Sequence, residues 1–389
     1  MITYGVAKGT GVIFRKIPKP AKPGKVAEPP TGEVKGAPVA AGEPVSVANG
    51  EYLETWRDFL IPGTLALDGA RYMGLKLALP PRYQSPLGPC QISAFDEVFS
   101  NPERGRLCFH DRDGHAIGFD RPFNFLASTN PAYPHLELKA PWLKQLRLKD
   151  RAIVKHFRQY DDDVYRLEKI EDLNGNTLLL TREEDGRLTR AEGPDGLSLV
   201  FDNDAAGRRT KITLIGVDGS ALELARYAYD VGGRMSEANC AFGMSVRYHW
   251  QADCDLIESW HNVTRASETH FSYDEAGRVV ETRTNGIWDG DRFVYREGET
   301  EYRPGGGDET AQTFRYDEHE NVTEEVDALG GTVAHTYDTH GFRTATADAN
   351  GHRSRTRYDA LGNVKEATDA EGRSTVYGWG DDGELLIVI

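Results

Sequence analysis

The sequence predicts an all-β chain in which short hairpins repeat and stack into one continuous sheet behind a mostly β head. Three observations carry this. No stretch sustains apolar residues at i, i+3, i+4 and i+7 for three helical turns. Short alternating runs bounded by Gly, Pro and Asp begin at about Pro44 and fill the rest of the chain. In the second half an aromatic followed by Asp, with Gly four residues after the aromatic, recurs at a nearly constant interval. A length of 389 residues fits two or three domains or one extended array better than a single small globule.

Taken in order, residues 18–44 hold seven of the 19 prolines, interleaved with Lys19, Lys22, Lys25 and Lys35. Such a stretch leans to polyproline and has nothing to bury, so residues 1–44 read as a flexible tether. Residues 1–45 are net +4, with seven Lys/Arg against three Glu, and the remainder is net −19, for a total of −15. A solvated linker explains this better than a nucleic-acid or membrane arm, and the overall acidity opposes the counterion release that drives nucleic-acid binding. No window approaches the roughly 18 apolar residues of a membrane helix, and the N-terminus has no apolar signal-peptide run. The mean hydropathy of −0.55 marks a water-soluble, turn-rich chain.

Residues 45–160 read as a β region. Asp58-Phe-Leu-Ile-Pro62-Gly63, Arg106-Leu-Cys-Phe-His-Asp-Arg-Asp113-Gly114 and His115-Ala-Ile-Gly-Phe-Asp120 each fit a strand of about five residues and a tight turn. The cysteines Cys90, Cys108, Cys240 and Cys254 form no C-x-x-C pair and read as small apolar side chains in a reducing compartment; a Cys240–Cys254 bridge across strands stays open.

Residues 161–389 hold the repeats. The clearest copies are Tyr229-Asp230-Val-Gly-Gly233-Arg234, Tyr273-Asp274-Glu-Ala-Gly277-Arg278, Tyr337-Asp338-Thr-His-Gly341 and Tyr358-Asp359-Ala-Leu-Gly362-Asn363; Tyr316-Asp317-Glu-His-Glu320-Asn321 keeps the frame with Glu in place of Gly. With Tyr248, Tyr295 and Tyr377 counted as degenerate copies, the intervals are 19, 25, 22, 21, 21, 21 and 19 residues. A half-repeat follows each regular copy, at Asp327-Ala-Leu-Gly330, Asp348-Ala-Asn-Gly351 and Asp369-Ala-Glu-Gly372, so each unit is two strands and two turns. Asp172-Leu-Asn-Gly175-Asn176, Asp185-Gly186-Arg187, Asp195-Gly196 and Phe201-Asp202 read as irregular early members. Asp accepts a hydrogen bond from the backbone two residues on, Gly supplies the positive φ that closes the turn, and a tyrosine on one face of each hairpin gives an aromatic ladder.

This pattern resembles the Rhs, or YD-repeat, family, whose repeat reads Tyr-Asp-x-x-Gly-Arg/Asn and then Asp-x-x-Gly at a period near 21. The head is similar too, at Glu43-Pro-Val-Ser-Val-Ala-Asn-Gly50-Glu, Asp58-Phe-Leu-Ile-Pro-Gly63, Phe109-His-Asp-Arg-Asp-Gly114 and Tyr165-Arg-Leu-Glu-Lys-Ile-Glu-Asp-Leu-Asn-Gly175-Asn, so the resemblance covers about residues 43–389. It implies a curved sheet spiralling into part of a hollow β-cocoon around a C-terminal toxin. It further implies a protein held in the bacterial cytoplasm and then delivered without its own signal peptide, often by the type VI secretion system, in interbacterial competition. The implied partners are toxin cargo or further repeats, and a PAAR/VgrG-like secretion spike or a chaperone. Against that family the chain reads as an N-terminal part of the core cut off in its last repeat, where Glu384-Leu-Leu-Ile-Val-Ile389 leaves an open apolar edge near residues 377–389.

The remaining candidate chemistry reads more simply as structure. Asp111-Arg-Asp113-Gly114 lacks the other ligands of a calcium loop and fits a β-turn. Asp161-Asp-Asp163 fits a solvated turn. His110, His335 and His340 lie near aspartates but no nucleophile motif accompanies them. Val6-Ala-Lys-Gly9-Thr-Gly11 is no complete phosphate loop, and Gly305-Gly-Gly307 reads as a polar loop between repeats. The expectation is therefore a shell segment with no catalytic, cofactor or metal site, whose interior face is wet and polar. Its defining residues are structural: Tyr229, Asp230, Gly233, Tyr273, Asp274, Gly277, Tyr316, Asp317, Tyr337, Asp338, Gly341, Tyr358, Asp359 and Gly362. The alternative is a YD-repeat surface module binding carbohydrate or protein through exposed rings.

Overall fold

The computed structural model describes residues 39–389 apart from 43, 82, 124–125, 143, 162, 243 and 286–289, so the proline-rich segment before Val39 lies outside the described residues. From Val98–Ser100 to Leu385–Val388 the chain is almost entirely antiparallel strand, each pairing with the next along the sequence. The strands are short because turn residues interrupt them every five to ten positions, which leaves room for few helical turns.

The start of the sheet is set by one strand with three neighbours. Val164–Asp172 pairs along its length with Ile153–Gln159; its first residues, Val164 to Arg166, also pair with Val98–Ser100, and Lys169 to Glu171 pair with the start of Thr177–Arg182. The strands between Val98 and Asp172 thereby curl into a closed tube, with Asn130 Nδ2 donating to the Gly118 carbonyl at 2.8 Å where Ser128–Asn130 passes Ala116–Asp120. From Thr177 the sheet leaves the tube as a ribbon of hairpins. The ribbon curves until the turn at Asp359 meets the tube again, where Arg151 donates to Asn363 Oδ1 at 3.3 Å across 212 residues. A curved array of YD-type hairpins is thus the fold.

The head is folded onto this sheet. Ala40–Ala41 pairs with Val45–Ser46, and Leu53–Ile61, Leu67–Gly74 and Gln91–Ser93 form a second small sheet. Its large side chains enter one continuous apolar core with those of the repeats. Tyr52 packs on Phe271 with ring centroids 4.8 Å apart, Trp56 meets Trp260 edge-on at 5.3 Å, and Phe95 meets Phe201 edge-on at 5.4 Å. Contacts of this kind add about 0.5–1.5 kcal/mol each beyond the area they bury. Thr64 extends the docking at the rim, where its N–H and hydroxyl donate to Asp195 at 2.7 Å.

Two readings of the repeat are corrected. In the copies before Tyr273 and at the end of the chain, the aromatic that opens the turn is Trp250 rather than Tyr248, and Trp379 rather than Tyr377. Trp250 Nε1 donates to the Met235 carbonyl and Trp379 Nε1 to the Val364 carbonyl, both at 2.7 Å, as the tyrosine hydroxyls do elsewhere. Tyr248 and Tyr377 lie two residues earlier, on the same strand face by the period of two. The intervals between openings from Tyr229 become 21, 23, 22, 21, 21, 21 and 21 residues. Among the early members, Phe201-Asp202 is still strand, and the turn is built on Asn203 and Asp204, where Asn203 Nδ2 donates to the Leu188 carbonyl at 2.9 Å.

Candidate functional site

Each regular turn is closed by one carboxylate. Asp230 Oδ1 accepts from Arg234 N at 2.9 Å and its Oδ2 from Arg234 Nε at 2.8 Å; Asp274 holds Arg278 in the same way, with Oδ1 also accepting from Ala276 N. Asp317, Asp338 and Asp359 accept from the amides two and four residues on at 2.9 Å. Gly233, Gly277, Gly341 and Gly362 take φ between +71° and +81°, while Glu320 takes +63° at the same place in the Tyr316 copy. Burial works against the charge on Asp230 and Asp274, yet the bonds donated by Arg234 and Arg278 hold both carboxyls below the usual range.

The opening ring ties each hairpin to the one before it. Tyr229 Oη donates to the Arg209 carbonyl at 2.6 Å, Tyr273 to Ile257 at 2.8 Å, Tyr337 to Val322 at 2.8 Å and Tyr358 to Arg343 at 2.9 Å, with a longer 3.4 Å bond from Tyr316 to Arg296. The arginine closing one turn then lies over the ring opening the next. Arg208 is 4.9 Å from the Tyr229 centroid, Arg234 is 5.7 Å from Trp250 and Arg278 is 4.6 Å from Tyr295.

No sequence motif announces the second constellation, a charged seam between head and sheet. Asp58 and Arg71, both almost fully buried, pair at 2.9 Å. Tyr227 Oη donates to Asp58 Oδ2 at 2.5 Å, and Arg71 Nη1 donates to Tyr248 Oη and Gln91 Oε1. A few residues on, Arg209 reaches Asp96 with two bonds of 2.9 Å, and Ser93 Oγ donates to the same carboxylate. Burial pushes the Asp96 carboxyl up, but the Arg209 guanidinium and its hydrogen bonds prevail and hold it below the ordinary value. Lys155 makes a third pair with the buried Glu97 at 2.7 Å. The signal in sequence is faint: Asp58 follows Arg57 in a strand that also holds Glu54, and Arg71 shares its strand with Asp68, so nothing local sets the buried pair apart.

The face under the head changes character along the ribbon. Tyr227, Tyr248, Phe271, Phe293 and Phe314 are buried there. Opposite Phe314 stands Glu325, and His335 and Thr346 continue the row; His335 Nε2 lies 3.2 Å from Glu325 and its Nδ1 3.0 Å from Thr346 Oγ1. Ser354 and Thr356 extend the polar stretch. Beyond it a cavity of about 1100 Å³ opens between the last repeats and Pro131 and Pro134, with Arg353, Arg355, Arg357 and Lys365 on its wall.

The other candidates resolve locally. Asp111 Oδ1 accepts from Asp113 N and His115 N, with Gly114 at φ +79°, which is a closed β-turn. His110 is buried at the end of strand Arg106–His110, with Nε2 2.9 Å from Ser100 Oγ. The four cysteines are unpaired, so the bridge left open between Cys240 and Cys254 is not formed. Among the described residues no cluster of three His, Cys, Asp or Glu side chains has metal-binding geometry, and no helix is long and apolar enough to cross a membrane.

A hairpin array of this kind, with ring-tied rungs and aspartate-closed turns, defines a repeat protein of the YD type. The family model described as RHS Repeat matches residues 316–353 and 358–389, so the chain carries repeats of the Rhs/YD type. It is 25% identical over 344 residues to the probable deoxyribonuclease RhsB of Dickeya dadantii (strain 3937), covering 80% of this chain and 23% of that protein. It is 25% identical over 261 residues to the double-stranded DNA deaminase toxin A of Burkholderia cenocepacia (strain H111), covering 63% of this chain and 17% of the relative. The chain therefore spans less than a quarter of the length of these relatives. Among solved structures, TcdB2-TccC3-Cdc42 aligns with a TM-score of 0.43 at 9% identity, covering 86% of this chain and 22% of that one. The Photorhabdus luminescens Tc holotoxin pore aligns with a TM-score of 0.41 at 11% identity, covering 73% and 18%.

Proposed function

We propose that this chain is the opening segment of a toxin-carrying shell, in which the head caps the start of the ribbon and the repeats extend the wall. The observation that carries this reading is the change along one sheet face, from the aromatic row sealed by the head to the polar row of Glu325, His335, Thr346 and Thr356. A face that merely completed a core would stay apolar; a face lining a wet compartment for a loosely folded cargo would not. In this reading residues 1–44 tether the shell, 45–160 begin it and 161–389 extend it. The shell itself carries no catalysis, the named activities of the relatives belonging to parts outside the aligned region. Delivery is by a specialised secretion system such as type VI, from the cytoplasm into a rival cell, through a PAAR/VgrG-like spike or a chaperone. A glycan-stacking role is less well supported, because Arg208, Arg234 and Arg278 already occupy faces of the opening rings.

Size-exclusion chromatography with light scattering on the purified chain, followed by imaging, tests the structural half. A curved open sheet that associates through its edges supports the shell; a compact, closed monomer rejects it. Co-culture tests the rest: a strain whose chromosomal copy carries Asp58→Ala and Asp96→Ala should lose its advantage over a sensitive neighbour, and unchanged killing would reject the delivery role.

A further inference from the structure

Two early rungs depart from the rule that an aromatic opens each turn. At one the opening side chain is Arg182, whose Nε donates to the Leu167 carbonyl at 2.9 Å, and at the next it is Asn203. Arg208, Arg234 and Arg278 each lie over the following ring. Arg187 stands at the equivalent place, but Asn203 offers it no ring. A cavity of about 240 Å³ opens there, lined in part by Gln84, Arg166, Arg182, Asp185, Arg187 and Asn203.

Positive charge in this pocket exceeds what its neighbours balance. Arg182 spends its donors on the uncharged carbonyls of Leu167, Gly186 and Phe95. The buried Nε of Arg166 has no hydrogen-bond acceptor among the described residues, and its guanidinium lies 4.9 Å from the Tyr83 centroid. Asp185 is engaged by Arg187 at 2.6 Å, and the nearby Asp96 is bridged by Arg209. Burial, with Arg166 and Arg209 close by, pulls the Arg182 guanidinium down to about 10 against the attraction of Asp96. Buried cations without counter-charges are costly, and converging guanidinium forks match an oxyanion.

We propose that the pocket between Arg166, Arg182 and Arg187 is a binding site for a small tetrahedral oxyanion of the phosphate class, occupying the space where later repeats place a ring. The test is the thermal midpoint of the purified chain in increasing inorganic phosphate against chloride at matched ionic strength, with calorimetric titration for affinity. The expected result is a saturable rise in midpoint that Arg166→Met diminishes, with phosphate binding weakened about tenfold or more. Asn203→Tyr fills the cavity with the ring found elsewhere in the array, and should abolish the phosphate response even if Arg166→Met fails to fold. An equal rise in Asn203→Tyr reflects general exclusion of the anion from the protein surface and overturns the proposal. So does the absence of any rise in the parent chain, and so does an equal rise with acetate, which marks a carboxylate site instead.

Discussion

Asp58 and Arg71 face each other at 2.9 Å across two strands of the head, and each is also hydrogen-bonded to a tyrosine of the repeats, Asp58 accepting from Tyr227 and Arg71 donating to Tyr248. A head that docked by apolar contact alone would tolerate sliding along the ribbon. This pair has one position at which Tyr227 and Tyr248 satisfy it, so it fixes where the head sits.

Removing one partner should therefore cost more than removing both. Arg71→Met leaves a buried carboxylate and should destabilise the chain by about 3–5 kcal/mol, whereas the double change Asp58→Leu with Arg71→Met should recover most of that. Tyr227→Phe removes one donor and should cost about 1–3 kcal/mol. Urea denaturation of the three variants gives the comparison, and a double variant as weak as the single one would show that the pair matters for packing rather than charge.

His110 gives the fold a pH dependence. Burial pulls its imidazole from 6.5 down to about 4. Between those values the unfolded chain binds a proton that the folded chain refuses, so the contribution is fully present above pH 6.5 and is lost as pH falls toward 4. At about 1.36 kcal/mol for each tenfold change in proton affinity, this amounts to roughly 3 kcal/mol. His110→Gln should flatten stability by that amount over the window, measured by denaturation at pH 7, 5.5 and 4.

What can be read in the sequence is what is local. Asp230 and Gly233 make their turn with neighbours four residues away, so the spacing alone exposes it. The head docking cannot be read this way, because Asp58 meets Tyr227 across 169 residues and Arg209 meets Asp96 across 113. The misassigned openings at Tyr248 and Tyr377 lie between these cases. Residue type favours the tyrosines, but the requirement is a donor at the ring's far edge, which the indoles of Trp250 and Trp379 meet equally well.

Glu320 stands where the regular Tyr-Asp copies have glycine. At φ +63° a side chain with a Cβ costs about 1–2 kcal/mol relative to ordinary backbone. Its carboxylate accepts from Asn49 Nδ2 at 3.3 Å, a long bond in a partly exposed position that offsets little of this. Glu320→Gly should therefore raise stability by about 1 kcal/mol despite the loss of that bond, and a fall in the denaturation midpoint would mean that Asn49 needs the contact.

The rungs themselves can be ranked by the bond each ring makes. Tyr337 donates to the Val322 carbonyl at 2.8 Å, whereas Tyr316 reaches the Arg296 carbonyl only at 3.4 Å in an exposed setting. Tyr337→Phe should cost about 1 kcal/mol and Tyr316→Phe close to nothing. Trp250 joins ring burial to a 2.7 Å bond, so Trp250→Ala should cost about 3–5 kcal/mol. Trp250→Tyr, which restores the residue type that opens most of the other turns, should cost far less. Chemical denaturation of the four variants orders them directly. If Trp250→Tyr proved as damaging as Trp250→Ala, the indole would be acting through its fit beneath the head and not as an opening ring.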